Sequence, residues 1–315
     1  MTNTNSTKDP FFIFYDSRSG STYLAKCLVE NANVCIPPEA NFVTSIIKSY
    51  GVKAIKTERD IKLLCDIIGD DCKFIDWNIK LEDIFSKSKK QLKRNKELYL
   101  REFFFYILEL FSEQLPRRED CKVFGFKKGS YMLYFKQLKE IFPHAKFIHL
   151  IRDGRAVFNS KKSSIYSATG KPFETEPCQA AKMWKKKVKL SRHIDSLYPD
   201  NSIIIHYEKL ITYPNSTLNE VANFLNLNIL SSVSSYYYEI PERYGRLHKN
   251  IEKQPLMSRI DSWKTSLSSQ EIEKYEAIAG KILTLEGYSL CSLFWKRLYQ
   301  KVNISRIFAI PRKNQ

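Results

Sequence analysis

Four short apolar runs punctuate the chain, and each gives way to a polar or charged stretch of small residues. The first is Phe11-Phe12-Ile13-Phe14-Tyr15. Its length and its aromatic and β-branched content predict a buried strand. The loop Asp16-Ser17-Arg18-Ser19-Gly20-Ser21-Thr22 follows, and apolar positions at helical spacing resume with Tyr23, Leu24, Cys27 and Leu28. Cys121 to Phe126 predicts a second strand, leading to Lys127-Lys128-Gly129-Ser130. Lys146 to Ile151 predicts a third, leading to Arg152-Asp153-Gly154-Arg155. Asn201 to Tyr207 predicts a fourth, followed by Glu208-Lys209-Leu210.

Between these runs the pattern is helical. Residues 42 to about 118 carry Ile61, Leu64, Ile67 and Ile68, then Leu98, Phe103, Ile107, Leu110 and Phe111, all at helical spacing. Further helices are predicted over Leu133 to Ile141, Ala156 to Lys162, Ala180 to Ser196, Thr217 to Leu225, Ser258 to Trp263 and Ser269 to Leu285. Pro37 and Pro38 forbid helix in Asn33 to Asn41, which reads as a short extended piece and a turn. That turn holds Glu39. Residues 228 to 256 read as a basic loop with Arg246, His248, Lys249 and Lys253. Strands separated by helices predict an α/β fold with a mostly parallel central sheet flanked by helices. No repeat or interdomain linker is visible. Residues 1–290 read as a single domain with a helical insertion at about 43–118, and 291–315 as a basic C-terminal extension.

Charge sharpens the picture. The chain has 315 residues and a formal net charge of +17. That excess implies an anionic partner, or else a generally lysine-rich surface. The seven cysteines form no C-x-x-C pair and their number is odd, which fits reduced thiols. The five histidines show no metal-ligand spacing, so no metal site is expected. The start, MTNTNSTKDP, lacks a signal-peptide core, and no window reaches the roughly 18 apolar residues of a membrane span. A cytoplasmic location is the expectation. The tail from Gly287 carries six Lys/Arg, no Asp or Glu, and several large apolar residues. It suits peripheral contact with an anionic membrane, or packing of its apolar side on the domain.

The opening stretch admits two readings. A strand, a tight loop and a helix start put backbone N–H groups and a positive helix end on an anion. Ser and Thr are also ordinary helix caps after a core strand. A Walker A loop is excluded, because G-x-x-x-x-G-K-[ST] is absent.

Taken together, the motifs resemble the sulfotransferases that use 3′-phosphoadenosine 5′-phosphosulfate (PAPS), in the branch that includes tyrosylprotein, carbohydrate and many bacterial enzymes. Arg18-Ser19-Gly20-Ser21-Thr22 matches R-[ST]-G-[ST]-[ST]. Arg152-Asp153-Gly154-Arg155-Ala156 with Ser160 matches the later strand-turn motif, and Tyr207-Glu208-Lys209-Leu210 matches Y-E-[DKR]-L. Arg259 to Trp263 and Gly287-Tyr288 fit the C-terminal pattern. The resemblance covers about 10–50 and 120–290.

It implies a P-loop-like three-layer fold and transfer of a sulfuryl group to an acceptor hydroxyl on a carbohydrate, lipid or small metabolite. Arg18, Ser19, Gly20, Ser21 and Thr22 would hold the 5′-phosphosulfate, and Arg152 and Ser160 the 3′-phosphate. Tyr207 joins the donor site, and Lys253 would close over it. Glu39 would be the general base. Lys127 would be the cation on the leaving oxygen, with Arg18 beside it. The family's K-[TSD]-P is Lys-Lys-Gly-Ser here, which leaves Lys127 and Lys128 in competition; strand alternation lets only one face the site, and Lys127 is favoured. No metal is required. Asp153 reads as a helix cap, Arg155 as a surface charge or a ligand, Trp184 and His149 as core, and Lys185 to Lys187 as a wet helix face. A kinase-like nucleotide-dependent enzyme is the main alternative, and a non-enzymatic nucleic-acid binder the second. Against the second, no nucleic-acid-binding signature is present.

Overall fold

The computed structural model describes residues 9–32, 34–115, 121, 123–166, 170–229 and 257–292. The chain opens with β1 (Phe11–Tyr15), α1 (Ser21–Asn31) and the short β2 (Val34–Cys35). Four helices follow: α2 (Phe42–Ser49), α3 (Glu58–Gly69), α4 (Leu81–Asn95) and α5 (Leu100–Ser112). Then come β3 (Val123–Lys127), α6 (Phe135–Ile141), β4 (Lys146–Ile151) and α7 (Gly154–Lys162). A two-stranded hairpin, β5 (Ile165–Tyr166) and β6 (Lys171–Pro172), precedes α8 (Pro177–Leu197) and β7 (Ser202–His206). The described chain ends with α9 (Tyr207–Thr212), α10 (Pro214–Leu225), α11 (Ser258–Asp261), α12 (Trp263–Ser266) and α13 (Ser269–Leu285).

Five strands form one sheet in the order β2-β3-β1-β4-β7. Every neighbouring pair is parallel. A parallel strand buried on both faces reads as a continuous apolar run, and all five residues of β1 are buried. From β1 the chain goes to β2 and β3 on one side, then to β4 and β7 on the other. The order reverses at β1, and α/β sheets bind ligands outside the carboxyl ends of their strands at such a point. Tyr15, Lys127, Ile151 and His206 end their strands at that edge.

The alternation of β1 divides the core. Phe12 and Phe14 face α2–α6, where Phe126, Phe147, Phe42, Trp77 and Phe104 close one aromatic-rich layer. Phe11, Ile13 and Tyr15 face the other way, onto Leu24 and Leu28 of α1 and Val221 and Leu225 of α10. A third core joins α7, α8 and α13 through Phe158, Trp184, Trp263 and Tyr275.

The first and third predicted strands and the helix at 269–285 match the observed bounds. The second strand ends one residue later than expected and takes in Lys127. Helices α8 and α10 begin three residues earlier than their apolar pattern, at Pro177 and Pro214. Proline at the first helical position gives up an N–H that would be unpaired anyway. The β5–β6 hairpin was not expected, since two-residue strands carry no readable alternation. Arg246, His248, Lys249, Lys253 and the tail from Leu293 lie outside the described residues. Among the described residues no helix is long and apolar enough to cross a membrane, and no group of His, Cys, Asp or Glu is placed to hold a metal ion.

Candidate active site

The turn after β1 is built on two residues with positive φ, Arg18 at 73° and Gly20 at 88°. Ser19 N–H closes it on the Asp16 carbonyl at 3.1 Å. Gly20 is the N-cap of α1, and a Cβ there would run into the ring of Tyr207. Glycine is therefore required twice, by conformation and by the close approach of the ring. Ser19, Ser21 and Thr22 are buried around the helix start.

The turn after β4 meets it. Arg152 donates from Nη1 to the Arg18 carbonyl and from Nη2 to the Arg259 carbonyl, each at 3.0 Å. Its guanidinium lies 4.4 Å from the Tyr207 ring centroid. Its Nε is buried and has no hydrogen-bond partner among the described residues. Arg18 Nε donates to Ser160 Oγ at 3.1 Å, across to α7. Burial, then Arg152 and Arg259, push the Arg18 guanidinium below its ordinary range. Arg18 thus stands among two other cations, an arrangement that an anion stabilises. The expected donor ligands Arg18, Ser19, Gly20, Ser21, Thr22, Arg152, Ser160 and Tyr207 come together here; Lys253 lies outside the described residues.

Glu39 sits at the same sheet edge. Its Oε1 accepts from the Tyr15 hydroxyl at 2.5 Å and from Lys127 Nζ at 2.6 Å. Lys73 Nζ lies 3.9 Å from Oε2. Burial raises the carboxyl, but Lys127 above all, with Tyr15 and Lys73, outweighs it and holds Glu39 at about 2. Burial first and Glu39 second push the Tyr15 phenol well above its ordinary range, so it stays a donor. Lys127 ends β3, and Lys128, still extended, follows it with its N–H on the Ile13 carbonyl at 3.3 Å. Lys127 pairs with Glu39. Lys128 stays near enough that burial and then Lys73 push its ammonium down to about 8.

Several expectations need correction. Arg155 is neither a surface charge nor poised for a ligand: it is 1% exposed. It pairs with Asp153 at 2.7 Å and Glu276 at 2.5 Å, and stacks 3.9 Å from Trp263. Lys185 to Lys187 is only in part a wet face: Lys186 is exposed, but Lys187 reaches Asp16 and Lys185 donates to the Ile278 carbonyl. Asp153 does cap α7, accepting from Arg155 N–H at 2.9 Å. Trp184 is core, and its Nε1 holds the Arg152 carbonyl at 3.0 Å. His149 is core but unsatisfied: neither ring nitrogen has a partner among the described residues.

Sequence reasoning gave no role to Tyr15, Lys73, Arg259 or Glu208, although the last two lie in matched motifs. Tyr15 reads as the last residue of a buried strand, though an aromatic hydroxyl at a strand's carboxyl end can reach a neighbouring loop. Lys73 comes from the helical segment with no recognisable motif. Glu208 accepts from the Asp153 N–H at 2.9 Å, so the Tyr207-Glu208 pair holds both turns, one by ring and one by carboxylate.

Comparison with known proteins adds to this geometry. A profile described as the Sulfotransferase family matches residues 10–231. Protein-tyrosine sulfotransferase A of Caenorhabditis elegans is 25% identical over 170 residues, covering 50% of this chain and 43% of the relative. Protein-tyrosine sulfotransferase of Drosophila melanogaster is 24% identical over 169 residues, covering 50% of this chain and 32% of the relative. The chain therefore spans less than half the length of these two relatives. Among solved structures, the sulfotransferase domain of the Synechococcus PCC 7002 olefin synthase superposes with a TM-score of 0.54. It is 19% identical, over 89% of this chain and 98% of that one. The sulfotransferase domain from the curacin biosynthetic pathway gives 0.52 at 19% identity, over 90% and 99%. Both share the fold.

Proposed function

The chain belongs to the sulfotransferase family, and from that membership we propose that it moves a sulfuryl group from PAPS to an acceptor hydroxyl. One observation carries this reading: Arg152, buried and without a described carboxylate partner, is hydrogen-bonded to the Arg18 turn. Two arginine-bearing turns on one cleft fit a nucleotide that is anionic at both ends. PAPS, when bound, would supply an activated sulfuryl group on a phosphate leaving group.

The residues divide the work. Arg18 and the amides and hydroxyls of Ser19, Gly20, Ser21 and Thr22 hold the 5′ end, with the start of α1 aimed at it. Arg152 and Ser160 hold the 3′-phosphate, and Arg18, bonded to Ser160, bridges the two ends. Tyr207 backs the turn, and Lys253, outside the described residues, is assigned to the phosphosulfate by the family resemblance alone. Glu39 takes the acceptor's proton as the acceptor oxygen bonds to sulfur and the sulfur–phosphate oxygen bond breaks, its electron pair leaving with the phosphate. A carboxylate held at about 2 is a weak base. An anion that draws Lys127 away weakens that hold, and Lys127 then offsets charge on the leaving oxygen.

The acceptor hydroxyl belongs to a carbohydrate, lipid or small metabolite, and the names of the relatives add tyrosine to the panel. Residues 1–290 are the catalytic domain in this reading, with 43–118 an insertion beside Glu39 and 291–315 a basic extension suited to an anionic membrane. The seven cysteines, odd in number and without a C-x-x-C pair, support a reducing, cytoplasmic setting.

The test is transfer of label from sulfur-labelled PAPS to hydroxyl acceptors, with EDTA present. Glu39→Gln is expected to bind adenosine 3′,5′-bisphosphate (PAP) normally and lose about 10²–10⁴-fold in transfer. Full turnover by Glu39→Gln refutes the base. Transfer from magnesium ATP instead of PAPS refutes the donor.

A further inference from the structure

The residue that opens the first turn, Asp16, is 5% exposed and belongs to none of the recognised motifs. Two lysines from different helices converge on its carboxylate. Lys161 of α7 donates to both oxygens at 2.8 Å, and Lys187 of α8 donates to Oδ1 at 2.7 Å. Both oxygens are thus engaged, and burial, which raises the carboxyl, is outweighed by Lys161 and then Lys187. Each partner has a neighbour in the donor site. Lys161 directly follows Ser160, which receives Arg18. Lys187 lies one turn beyond Trp184, which holds the Arg152 carbonyl.

We propose that Asp16 is a positioning residue, an ionic clasp that fastens the Arg18 turn to α7 and α8 and so sets the spacing between the two anion-binding ends of the cleft. The physical reason is local. Arg18 is a non-glycine residue at φ 73°, a conformation that persists only when its surroundings impose it. Two contacts impose it from the α7 side: Arg18 with Ser160, and Asp16 with Lys161. They form a two-rung ladder between the turn and the end of α7. Lys187 adds a hold from the face of α8 that supports Arg152. Loosening the lower rung lets Arg18 drift from Ser160, and the loss falls on whatever anion Ser160 and Arg152 share.

The inference rests on the donor reading for its ligand but not for its structural half. Three variants test it: Asp16→Asn, Lys161→Met and Lys161→Arg. The first readout needs no nucleotide. Hydrogen exchange of amides 17–22 in the free protein is expected to speed up in Asp16→Asn and Lys161→Met, and to stay near wild type in Lys161→Arg. Unchanged exchange in the first two overturns the clasp, whatever the donor is. The second readout is titration with PAP and with adenosine 5′-monophosphate. Asp16→Asn and Lys161→Met are expected to weaken PAP about tenfold and to shrink its advantage over the monophosphate by a similar factor. Lys161→Arg should restore both. Equal weakening of the two nucleotides is a general loosening and overturns the spacing role. A wild-type protein that binds neither nucleotide refutes the donor reading, while the exchange result still stands or falls alone. Lys161→Met trims a side chain at the end of α7, so it keeps the test open if Asp16→Asn fails to fold.

Discussion

Arg152 and Arg155 stand three residues apart in one motif, both out of water, and meet opposite fates. Arg155 is matched by two carboxylates, Asp153 and Glu276, and also gives a hydrogen bond to the Ser289 carbonyl. Glu276 in turn accepts from the N–H groups of Cys291 and Ser292, at 2.9 and 2.8 Å. Its neighbourhood is closed, with one guanidinium answered by two carboxylates. Arg152 donates to two carbonyls, lies against an aromatic face and meets no described carboxylate, and its Nε has no partner among the described residues. An arginine keeps its charge in any protein site. The first is therefore a structural rivet and the second a charge held ready for a ligand. Three residues upstream, His149 shows a third outcome: burial holds it neutral, down to about 3. What separates the three is the partner each is given, not the depth of burial.

The contrast can be broken most forcefully at the rivet. Arg155→Met leaves Asp153 and Glu276 buried together without their cation, and should cost about 3–5 kcal/mol. Urea unfolding measures this, and a midpoint within error of wild type would mean the pair is not buried as described. His149 sets the next effect. An unfolded histidine titrates near 6.5, so between there and about 3 the unfolded chain binds the extra proton. Stability then rises with pH in that window and is lost as pH falls, by about 3 kcal/mol on going from pH 6.5 to 4. His149→Phe, set beside Phe14 and Phe147, should flatten that slope in melting curves taken across the window; a parallel slope would place a partner on the ring. The smallest effect belongs to the turn itself. Gly20→Ala forces a Cβ to φ 88° and against Tyr207, for about 1–3 kcal/mol. Its melting temperature should fall, with PAP affinity falling too, and Tyr207→Ala should recover part of the stability by vacating the space.

The same contrast marks what was legible in the sequence. Strand ends were readable, because apolar runs stop where the sheet edge begins, and this brought Arg18, Lys127 and Arg152 to one edge. The fate of Arg155 was not readable. Its partner Glu276 lies on α13, 121 residues away, and no local pattern encodes that pairing. Lys187 was misread for a similar reason. Within a run of three lysines, helical geometry leaves Lys186 exposed and carries Lys185 and Lys187 to partners on other elements, Ile278 and Asp16, that no local pattern reveals. Lys73 and Tyr15 escaped because neither belongs to a motif; both reach Glu39 through tertiary packing. Glu39 lies in a segment that two prolines keep out of a helix, but its role as a base comes from the family resemblance, not from that local pattern.

The most direct measurement is calorimetric titration of PAP, with EDTA present, into wild type and Arg152→Met. Wild type should bind without metal, and Arg152→Met should bind about 30–150-fold more weakly, a loss of about 2–3 kcal/mol, with the free protein melting within a few degrees of wild type. Equal affinity in the two proteins would contradict a shared nucleotide cleft at Arg18 and Arg152.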